Sequence, residues 1–327
     1  IGISAAVLYS QLTTGKSAKI RSKISPTKPA HYYELNIDTK TNQPKILKDD
    51  EIKWKKDHGT RIEIELEADY IKGGRQSVDE YIKQTAVINP HVTLIYTNPK
   101  AEQVIYAAAT DKMPPESKPI QPHPYGVELG MLMNMLEWTP SRTLQKFLTS
   151  EFSRIGPGTA KEICSNSSLK PDTKPRDISR DMAEKLLKGI QKTKIIAPPT
   201  DCLSPIGEEE LEKGLKKEIR AEFYATKTRP PAVYRGNPFL IEVGIAFGGE
   251  IPKDNRISVL RFANRVPLLY QEGACSMTKC ILETNWKPYG LQQSGNSYPI
   301  GPAVLVIHMA SAWVPFTSES KEAIAHY

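Results

Sequence analysis

The chain has 327 residues, of which 39% are hydrophobic and 25% are charged, a composition that is ordinary for a globular protein of two or three domains. No stretch approaches the roughly 18 consecutive apolar residues of a membrane span, so we expect a soluble, cytoplasmic protein. The net charge of +7 is compatible with a polyanionic partner, although solvated lysines alone can produce it.

The cysteines and the first residues limit the class of protein further. Cys164, Cys202, Cys275 and Cys280 form no CxxC pair and have no histidine at metal-ligand spacing. This pattern favours reduced thiols over a disulfide framework or a zinc site, and we expect no structural metal within this chain. The first residues contain neither an initiator methionine nor a charged signal segment, so we expect the chain to begin inside a larger protein.

The first region, residues 1–114, is predicted to contain mainly strands and two helices. Polar and apolar residues alternate in KIRSKI, HYYELNID and TRIEIELEADY, as is typical of half-buried antiparallel strands. A helix with Ser4 as its N-cap precedes these strands. A second helix, SVDEYIKQTAVIN, follows with Ser77 as its N-cap and ends before Pro90. The segments VTLIYTNP and QVIYAAAT then predict a closing hairpin.

The second region, residues 115–205, begins with a proline-rich passage that interrupts both helix and sheet. Apolar residues then recur at helical spacing in four segments: VELGMLMNMLEW, SRTLQKFLTSEFSRI, PGTAKEICSNSS and SRDMAEKLLKGIQKT. The proline-rich segment APPTDCLSPIGEEE is predicted to be a linker.

The third region, residues 206–327, is again predicted to be mixed. Strands are predicted at FYATKTRPPAVYRGNPFLIEVGIAFGGE, ISVLRFANRVPLL, NSYPIGPAVLVIHMA and WVPFT, and a helix at QEGACSMTKCILE. The sequence therefore predicts an α+β multidomain fold that contains an all-α region.

Two glycine-containing segments are candidate phosphate sites. Gly2 leads into a helix whose free N–H groups and dipole favour an anion, a property that every helix N-terminus shares. Gly156 and Gly158 form a tight turn around a proline between two helices, and Arg154 and Lys161 flank it. Such a turn can hold a nucleic-acid backbone without reading its sequence, and a connecting turn with incidental charge is an equally good interpretation.

Several longer motifs, taken in order, resemble the B-subunit family of the archaeal type IIB DNA topoisomerases, topoisomerase VI. They are GISAAVLYSQLTTGK, HGTRIEIELEADY, QPHPYGVELGML, IGPGTA, VLRFANRVPLLY, NWKPYGL and VPFTSESKEAI, and they extend along the whole chain. The resemblance implies the C-terminal part of a GHKL-type (Bergerat-fold) ATPase domain at 1–114 and a helix-two-turns-helix domain at 115–205. It further implies an α+β transducer of ribosomal-protein-like fold, incomplete at its C-terminus, at 206–327.

The resemblance also implies part of an ATP site. Lys287, in NWKPYGL, matches the switch lysine that reaches from the transducer to the γ-phosphate, a contact that suits a flexible ammonium group. The other matched positions are Ile1, Gly2, Ile3 and Ser4, at the end of the ATP lid, and Thr60, in the hydrogen-bond network of the nucleotide pocket. The family's Mg²⁺-binding Asn, adenine-reading Asp and general-base Glu would precede Ile1. We therefore expect the chain as given to bind ATP weakly or not at all, and not to hydrolyse it.

The implied function is that of the ATP-binding and hydrolysing subunit of a type IIB DNA topoisomerase. ATP, with Mg²⁺ held outside these residues, would dimerise two B subunits, capture a DNA duplex and drive double-strand passage, giving relaxation and decatenation. The implied partners are the DNA-cleaving A subunit, in an A2B2 heterotetramer, and double-stranded DNA of the nucleoid. Two alternatives stay open: a non-enzymatic DNA-binding module, and a mismatch-repair GHKL ATPase, which should lack the helical insertion at 122–200.

Overall fold

The computed structural model describes residues 2–41, 43–318 and 320–326 and contains two compact units, Ile1–Ile71 and Lys72–Tyr327. Both units contain helices and strands, which confirms the mixed α+β class. The three domain boundaries expected from the sequence remain a prediction.

The first unit packs one helix against a four-stranded antiparallel sheet of order β3-β2-β1-β4. Its elements are α1 (Gly2–Thr14), β1 (Ala18–Lys23), β2 (Ala30–Asp38), β3 (Gln43–Ile52) and β4 (Gly59–Glu63). The side chain of Gln11 fastens α1 to β2, because its Oε1 accepts from the Ile37 N–H at 2.8 Å and its Nε2 donates to the Ile37 carbonyl at 3.1 Å. Among the described residues of this unit, the buried apolar side chains are only Val7, Ala18 and Ala30. Hydrophobic burial therefore contributes little to the stability of this unit.

Three details of the first unit differ from the prediction. The helix begins at Gly2, so Ser4 lies within its first turn and the prediction of Ser4 as N-cap was wrong. Strand β4 ends at Glu63, earlier than the alternating pattern indicated. Strand β3 was not predicted, because nearly all of its side chains are exposed and it forms through its hydrogen-bonded pairing with β2.

The second unit contains the remaining elements. Its helices are α2 (Val78–Ile88), α3 (Leu129–Trp138), α4 (Leu144–Glu151), α5 (Pro157–Asn166), α6 (Arg180–Lys192), α7 (Glu208–Glu218) and α8 (Ser276–Glu283). Its strands are β5 (Leu94–Thr97), β6 (Gln103–Tyr106), β7 (Phe223–Thr228), β8 (Ala232–Tyr234), β9 (Asn237–Phe247), β10 (Ser258–Ala263), β11 (Val266–Pro267) and β12 (Ala303–Ser311). Strands β5 and β6 form the predicted hairpin, and the others form a sheet of order β11-β10-β12-β9-β7, with β8 also paired to β9.

Helices α3 to α6 form in the four segments that the apolar spacing predicted. They enclose a core of their own, in which Phe147 and Phe152 meet edge to face with ring centroids 5.5 Å apart. The sequence also predicted the cap of α2 correctly, since Ser77 Oγ accepts from the Glu80 N–H at 3.2 Å. Local signals, namely apolar spacing and capping residues, were sufficient for these helices.

The main sheet is covered on both faces. Phe262 and Val306 point to the face that α2 and α7 cover, whereas Val259 and Leu305 point to the face that α8 covers. Helix α7 was not predicted, and its first three residues were included in the predicted linker, because its sequence is mostly glutamate and lysine. The segment WVPFT was predicted as a strand, but among the described residues it makes only an isolated bridge from Phe316.

Helices α2 and α7 approach each other closely at a glycine. A Cβ atom added to Gly214 in α7 would overlap the carbonyl oxygen of Val87 in α2. The close contact explains why α2, which the sequence grouped with the first region, belongs to the second unit.

We expect Gly214→Ala to lower the free energy of unfolding by about 1 to 3 kcal/mol, because the overlap outweighs the better helix propensity of alanine. The matched control is Gly130→Ala in α3, where an added Cβ has no neighbour within 4 Å. That control should raise stability by about 0.5 to 1 kcal/mol. Urea denaturation of both variants checks the prediction, and equal stabilisation by the two would contradict it.

A fully buried carboxylate holds the start of α7 against the sheet. Glu242, in β9, accepts hydrogen bonds from the N–H groups of Ile206 and Gly207, both at 2.8 Å. It also accepts from Thr228 Oγ1 at 2.8 Å and from His308 Nδ1 at 2.9 Å. Burial raises the pKa of Glu242, but the hydrogen bonds lower it by a larger amount. The net result is a pKa of about 2. The group is therefore an anion at the N-terminus of α7, where the helix dipole stabilises it.

His308 is neutral in this arrangement. Its Nδ1 donates to Glu242, while its Nε2 accepts from the N–H of Arg265 at 3.1 Å, which only an unprotonated ring nitrogen can do. Burial lowers the pKa of His308 from its ordinary 6.5, although the bond to Glu242 opposes this shift. Arg265 in turn donates from Nη2 to the Pro205 carbonyl at 3.0 Å. The hydrogen bonds therefore link residues 205–207 to β9, to β12 and to the turn after β10.

We expect Glu242→Gln to lower the free energy of unfolding at pH 7 by about 3 kcal/mol, because an amide cannot accept four hydrogen bonds. In the unchanged chain, both pKa values are lowered in the folded state. Each deprotonated group therefore contributes stability that is complete above its unfolded pKa and is lost as the pH falls. The loss from His308 begins near pH 6.5, and that from Glu242 extends from about 4.5 to about 2.

Urea denaturation between pH 7 and pH 2 measures this dependence. Glu242→Gln should flatten the curve below pH 4.5, whereas the control Glu209→Gln, on the exposed side of α7, should leave the curve nearly unchanged. If the stability of Glu242→Gln fell below pH 4.5 as steeply as that of the unchanged chain, Glu242 would not be the buried anion.

Candidate nucleotide and DNA sites

Lys287 lies in a single turn of 3-10 helix, Lys287–Tyr289, that follows α8. Gly290 ends the turn with φ 74°, a conformation that favours glycine, and its N–H donates to the Lys287 carbonyl at 3.0 Å. The Lys287 side chain is exposed, and within the described part of the chain its ammonium makes no hydrogen bond or ion pair. The structure therefore presents Lys287 as a free cation on a defined turn.

The residue before Lys287 fixes this turn to α8. Trp286 is half-buried, and its indole Nε1 donates to the Ile281 carbonyl at 2.8 Å. Its ring packs with Tyr289, with centroids 6.3 Å apart, and its side chain joins the apolar cluster under α8. The tryptophan of NWKPYGL thus serves as the anchor, while the lysine stays in solvent.

The other expected nucleotide residues belong to the first unit. Gly2, Ile3 and Ser4 form the exposed first turn of α1, where backbone N–H groups have no intrahelical partner. Ile1 lies outside the described residues. Thr60 is exposed in β4, and its Oγ1 lies 3.5 Å from Ser22 Oγ on β1. Three of the four predicted lid positions are therefore on one turn of α1, Thr60 is on the sheet of the first unit, and Lys287 belongs to the second unit.

The predicted DNA-contacting turn is well formed. Gly156 is the N-cap of α5, and the Ala160 N–H donates to its carbonyl at 2.9 Å. Arg154, Gly156, Gly158 and Lys161 are all exposed, and an added Cβ at either glycine would have no neighbour within 4 Å. An anion can therefore approach the backbone of this turn closely.

Beside this turn lies a cavity of about 390 Å³, which Arg154, Ser153 and Lys118 help to line. Lys118 is paired with Asp201, with its Nζ 3.2 Å from Oδ2, so its charge is partly neutralised. Arg154 makes no ion pair among the described residues and is the cation that remains available to a phosphate.

The described residues offer no cluster of three or more histidine, cysteine or acidic side chains that could hold a metal ion. All four cysteines are free thiols. No described helix is both long enough and apolar enough to cross a membrane.

Two residues that hold the Lys287 segment were not predicted. Gln293 and Tyr298 form hydrogen bonds to α8 and to the turn before it. The only signal for them in the sequence is an amide side chain within a run of turn formers, and that pattern does not indicate which carbonyl groups the amide reaches.

Comparison with known proteins gives consistent matches. The family model "Topoisomerase VI B subunit, transducer" matches residues 198–327. The chain is 54% identical to the B subunit of type 2 DNA topoisomerase 6 from Methanosarcina barkeri and 55% identical to that from Methanococcoides burtonii, and each match covers 99% of this chain and 52% of the relative. The counterpart from Archaeoglobus fulgidus is 46% identical, over 99% of this chain and 54% of its own length. The chain thus spans about half the length of these curated relatives.

Among solved structures, the topoisomerase IV ATP-binding domain of Francisella tularensis in complex with a small-molecule inhibitor aligns with 98% of this chain and 60% of that chain, at 11% identity and a TM-score of 0.33. The relationship to topoisomerase 6 B subunits rests on the transducer match and on the sequence identity to the relatives along almost all of the chain. Residues 198–327 thus match the transducer of the topoisomerase VI B subunit, and almost the whole chain is similar to about half the length of type 2 DNA topoisomerase 6 B subunits.

Proposed function

We propose that this chain is part of the ATP-binding and hydrolysing subunit of a type IIB DNA topoisomerase. The observation that carries the proposal is the free ammonium of Lys287, on a fixed turn inside the region that the transducer model matches. The relatives are named as B subunits of this enzyme, which supports the same role. The mismatch-repair alternative is disfavoured by the four helices and separate core at the position of the helical insertion.

The nucleotide roles are proposed residue by residue, as the resemblance implies. In the proposal, the first-turn N–H groups of Gly2, Ile3 and Ser4 receive the phosphates of ATP, together with Ile1, and Thr60 contributes a hydroxyl to the pocket. This fits the exposed, unpaired donors of that turn. Lys287 contacts the γ-phosphate. In the proposal, Mg²⁺ accompanies ATP.

Loss of the γ-phosphate removes the partner of Lys287 and so weakens the restraint on its turn. Because Trp286 fixes that turn to α8, a change at the phosphate reaches the transducer through α8. In the proposal, ATP dimerises two B subunits around a captured duplex, and hydrolysis drives passage through the break made by the A subunit of an A2B2 complex. The enzyme relaxes and decatenates DNA in the cytoplasm, at the nucleoid.

The helical region, residues 115–205, is proposed as a helix-two-turns-helix domain that contacts DNA. Arg154, Lys161 and the backbone of the turn from Gly156 to Gly158 would hold phosphates without reading bases. The domain at 1–114 is proposed as part of the GHKL ATPase domain and that at 206–327 as the transducer.

We expect Lys287→Ala in the full-length A2B2 enzyme to lower ATP turnover and supercoil relaxation about ten- to a hundredfold. The lost interaction is a hydrogen bond to a charged phosphate, worth roughly 1.5 to 3 kcal/mol. The melting temperature should not change, because the side chain is exposed. Lys287→Arg should not restore full turnover, since a planar guanidinium cannot take the place of a compact ammonium.

The matched control is Lys279→Ala, which removes an exposed lysine from α8 nearby. Steady-state ATPase and relaxation assays should separate the two variants by the full ten- to hundredfold. Normal turnover in a folded Lys287→Ala enzyme would show that Lys287 is a solvated loop residue with no role at the γ-phosphate.

We expect the double variant Arg154→Ala, Lys161→Ala to weaken DNA binding by the full-length enzyme. Two lost phosphate contacts should reduce the slope of log K against log salt by about 2. The control double variant Lys185→Ala, Lys188→Ala removes the same charge from the exposed face of α6. Binding isotherms at several salt concentrations measure both slopes. An identical slope in the two variants would show that the turn only connects two helices and does not contact DNA.

A further inference from the structure

The segment that carries Lys287, residues 284–298, is hydrogen-bonded to α8 at more than one point. Its beginning is fixed by the indole of Trp286, which donates to Ile281. Its middle is fixed by Leu291, which is buried and whose N–H donates weakly to the Trp286 carbonyl at 3.4 Å. Its far half is fixed by two polar side chains, Gln293 and Tyr298, that no nucleotide role requires.

Gln293 bridges the end of α8 and the far side of the segment with one amide group. Its Nε2 donates to the carbonyl of Leu282 at 2.9 Å and to that of Ser297 at 3.0 Å. Leu282 lies in the last turn of α8, where carbonyl groups lack an intrahelical partner. The amide therefore caps α8 and closes the segment on itself at the same time. The neighbouring Gln292 is exposed and makes no such side-chain bond among the described residues.

Tyr298 fixes the segment to the start of α8. Its hydroxyl donates to Glu272 Oε1 at 2.5 Å and lies 3.3 Å from Thr278 Oγ1. Burial and the bond to Glu272 raise the pKa of Tyr298 to about 12, so the phenol keeps its proton and remains a donor. Both ends of α8 are thus joined to the segment that follows it.

The chain just before Glu272 is in turn fixed to the main sheet. Arg261, in β10, is almost fully buried, and its Nη2 donates to the carbonyl groups of Leu268 at 2.9 Å and Tyr270 at 3.2 Å. Tyr270 is separated by a single residue from Glu272, the acceptor of Tyr298. The series of contacts therefore runs from β10 through the turn before α8 to the segment that carries Lys287.

We propose that Gln293 and Tyr298 are positioning residues that brace the Lys287 segment on α8, so that the segment and the helix move as one body. This inference rests on the proposed contact of Lys287 with the γ-phosphate. A segment that is already ordered loses little conformational entropy when the phosphate contact forms. More of the free energy of that contact is therefore available to stabilise the transition state. A braced segment also transmits a displacement of the ammonium to α8 instead of absorbing it by local bending.

The test uses the full-length A2B2 enzyme with Gln293→Ala and Tyr298→Phe. We expect each to lower kcat for ATP hydrolysis by about three- to tenfold, the effect of losing a hydrogen bond or two. KM for ATP should change by less than about twofold, because the lid residues and not the brace bind the nucleotide. The control variants are Gln292→Ala and Tyr234→Phe, at two exposed positions, and both should keep the kcat of the unchanged enzyme.

The same substitutions in a Lys287→Ala background separate positioning from damage to the fold. If the brace acts through Lys287, neither substitution lowers kcat further in that background. Multiplicative losses in that background, or unchanged kcat when Lys287 is present, would overturn the inference. Normal turnover in Lys287→Ala alone would instead overturn the proposed role of Lys287, together with the inference that rests on it.

Hydrogen exchange of the amides at 287–297 tests the brace independently of turnover. Gln293→Ala should increase exchange in this segment and leave α3 to α6 unchanged, whereas Gln292→Ala should change neither. Equal exchange in Gln293→Ala and Gln292→Ala would show that the amide does not hold the segment.

Discussion

The buried carboxylate of Glu242 is the interaction on which the second unit depends. It accepts from the N–H groups of the two residues just before α7, from the hydroxyl of Thr228 and from the ring of His308, four donors that the chain supplies from different elements. Because a buried anion must have all of these donors, the path of residues 205–207 and the start of α7 are determined together. Helix α7 then lies where Gly214 can approach Val87 of α2.

The two faces of the main sheet carry different elements. On one face, α2 and α7 pack closely against Phe262 and Val306. On the other face, α8 covers Leu305 and carries the Lys287 segment. Since consecutive residues of β12 point to opposite faces, a displacement of this strand is felt on both sides. A sheet of this kind is suited to passing a local change in the Lys287 segment to the other face of the second unit.

How well each element could be predicted depended on where its stabilising contacts lie. The cap at Ser77 and the helices α3 to α6 were predicted, because capping and apolar spacing act within a few residues. Helix α7 offers only Leu211 and Leu215 among charged residues, and its formation depends on burial of those two side chains against β9 and α2. Strand β3 has almost no buried side chain and forms because β2 supplies its hydrogen-bond partners.

The sequence by itself determined the α+β class, the resemblance to topoisomerase VI B subunits and the candidate residue Lys287, because composition, periodicity and contiguous motifs are properties of the linear chain. Only the tertiary structure decided that Glu242 meets His308, 66 positions away, and that Gln293 reaches the last turn of α8. It likewise decided that α2 packs with α7 in the second unit. These contacts join different elements of the fold, and they exist because buried donors and acceptors must be paired once the helices pack against the sheet, a condition that no local pattern encodes.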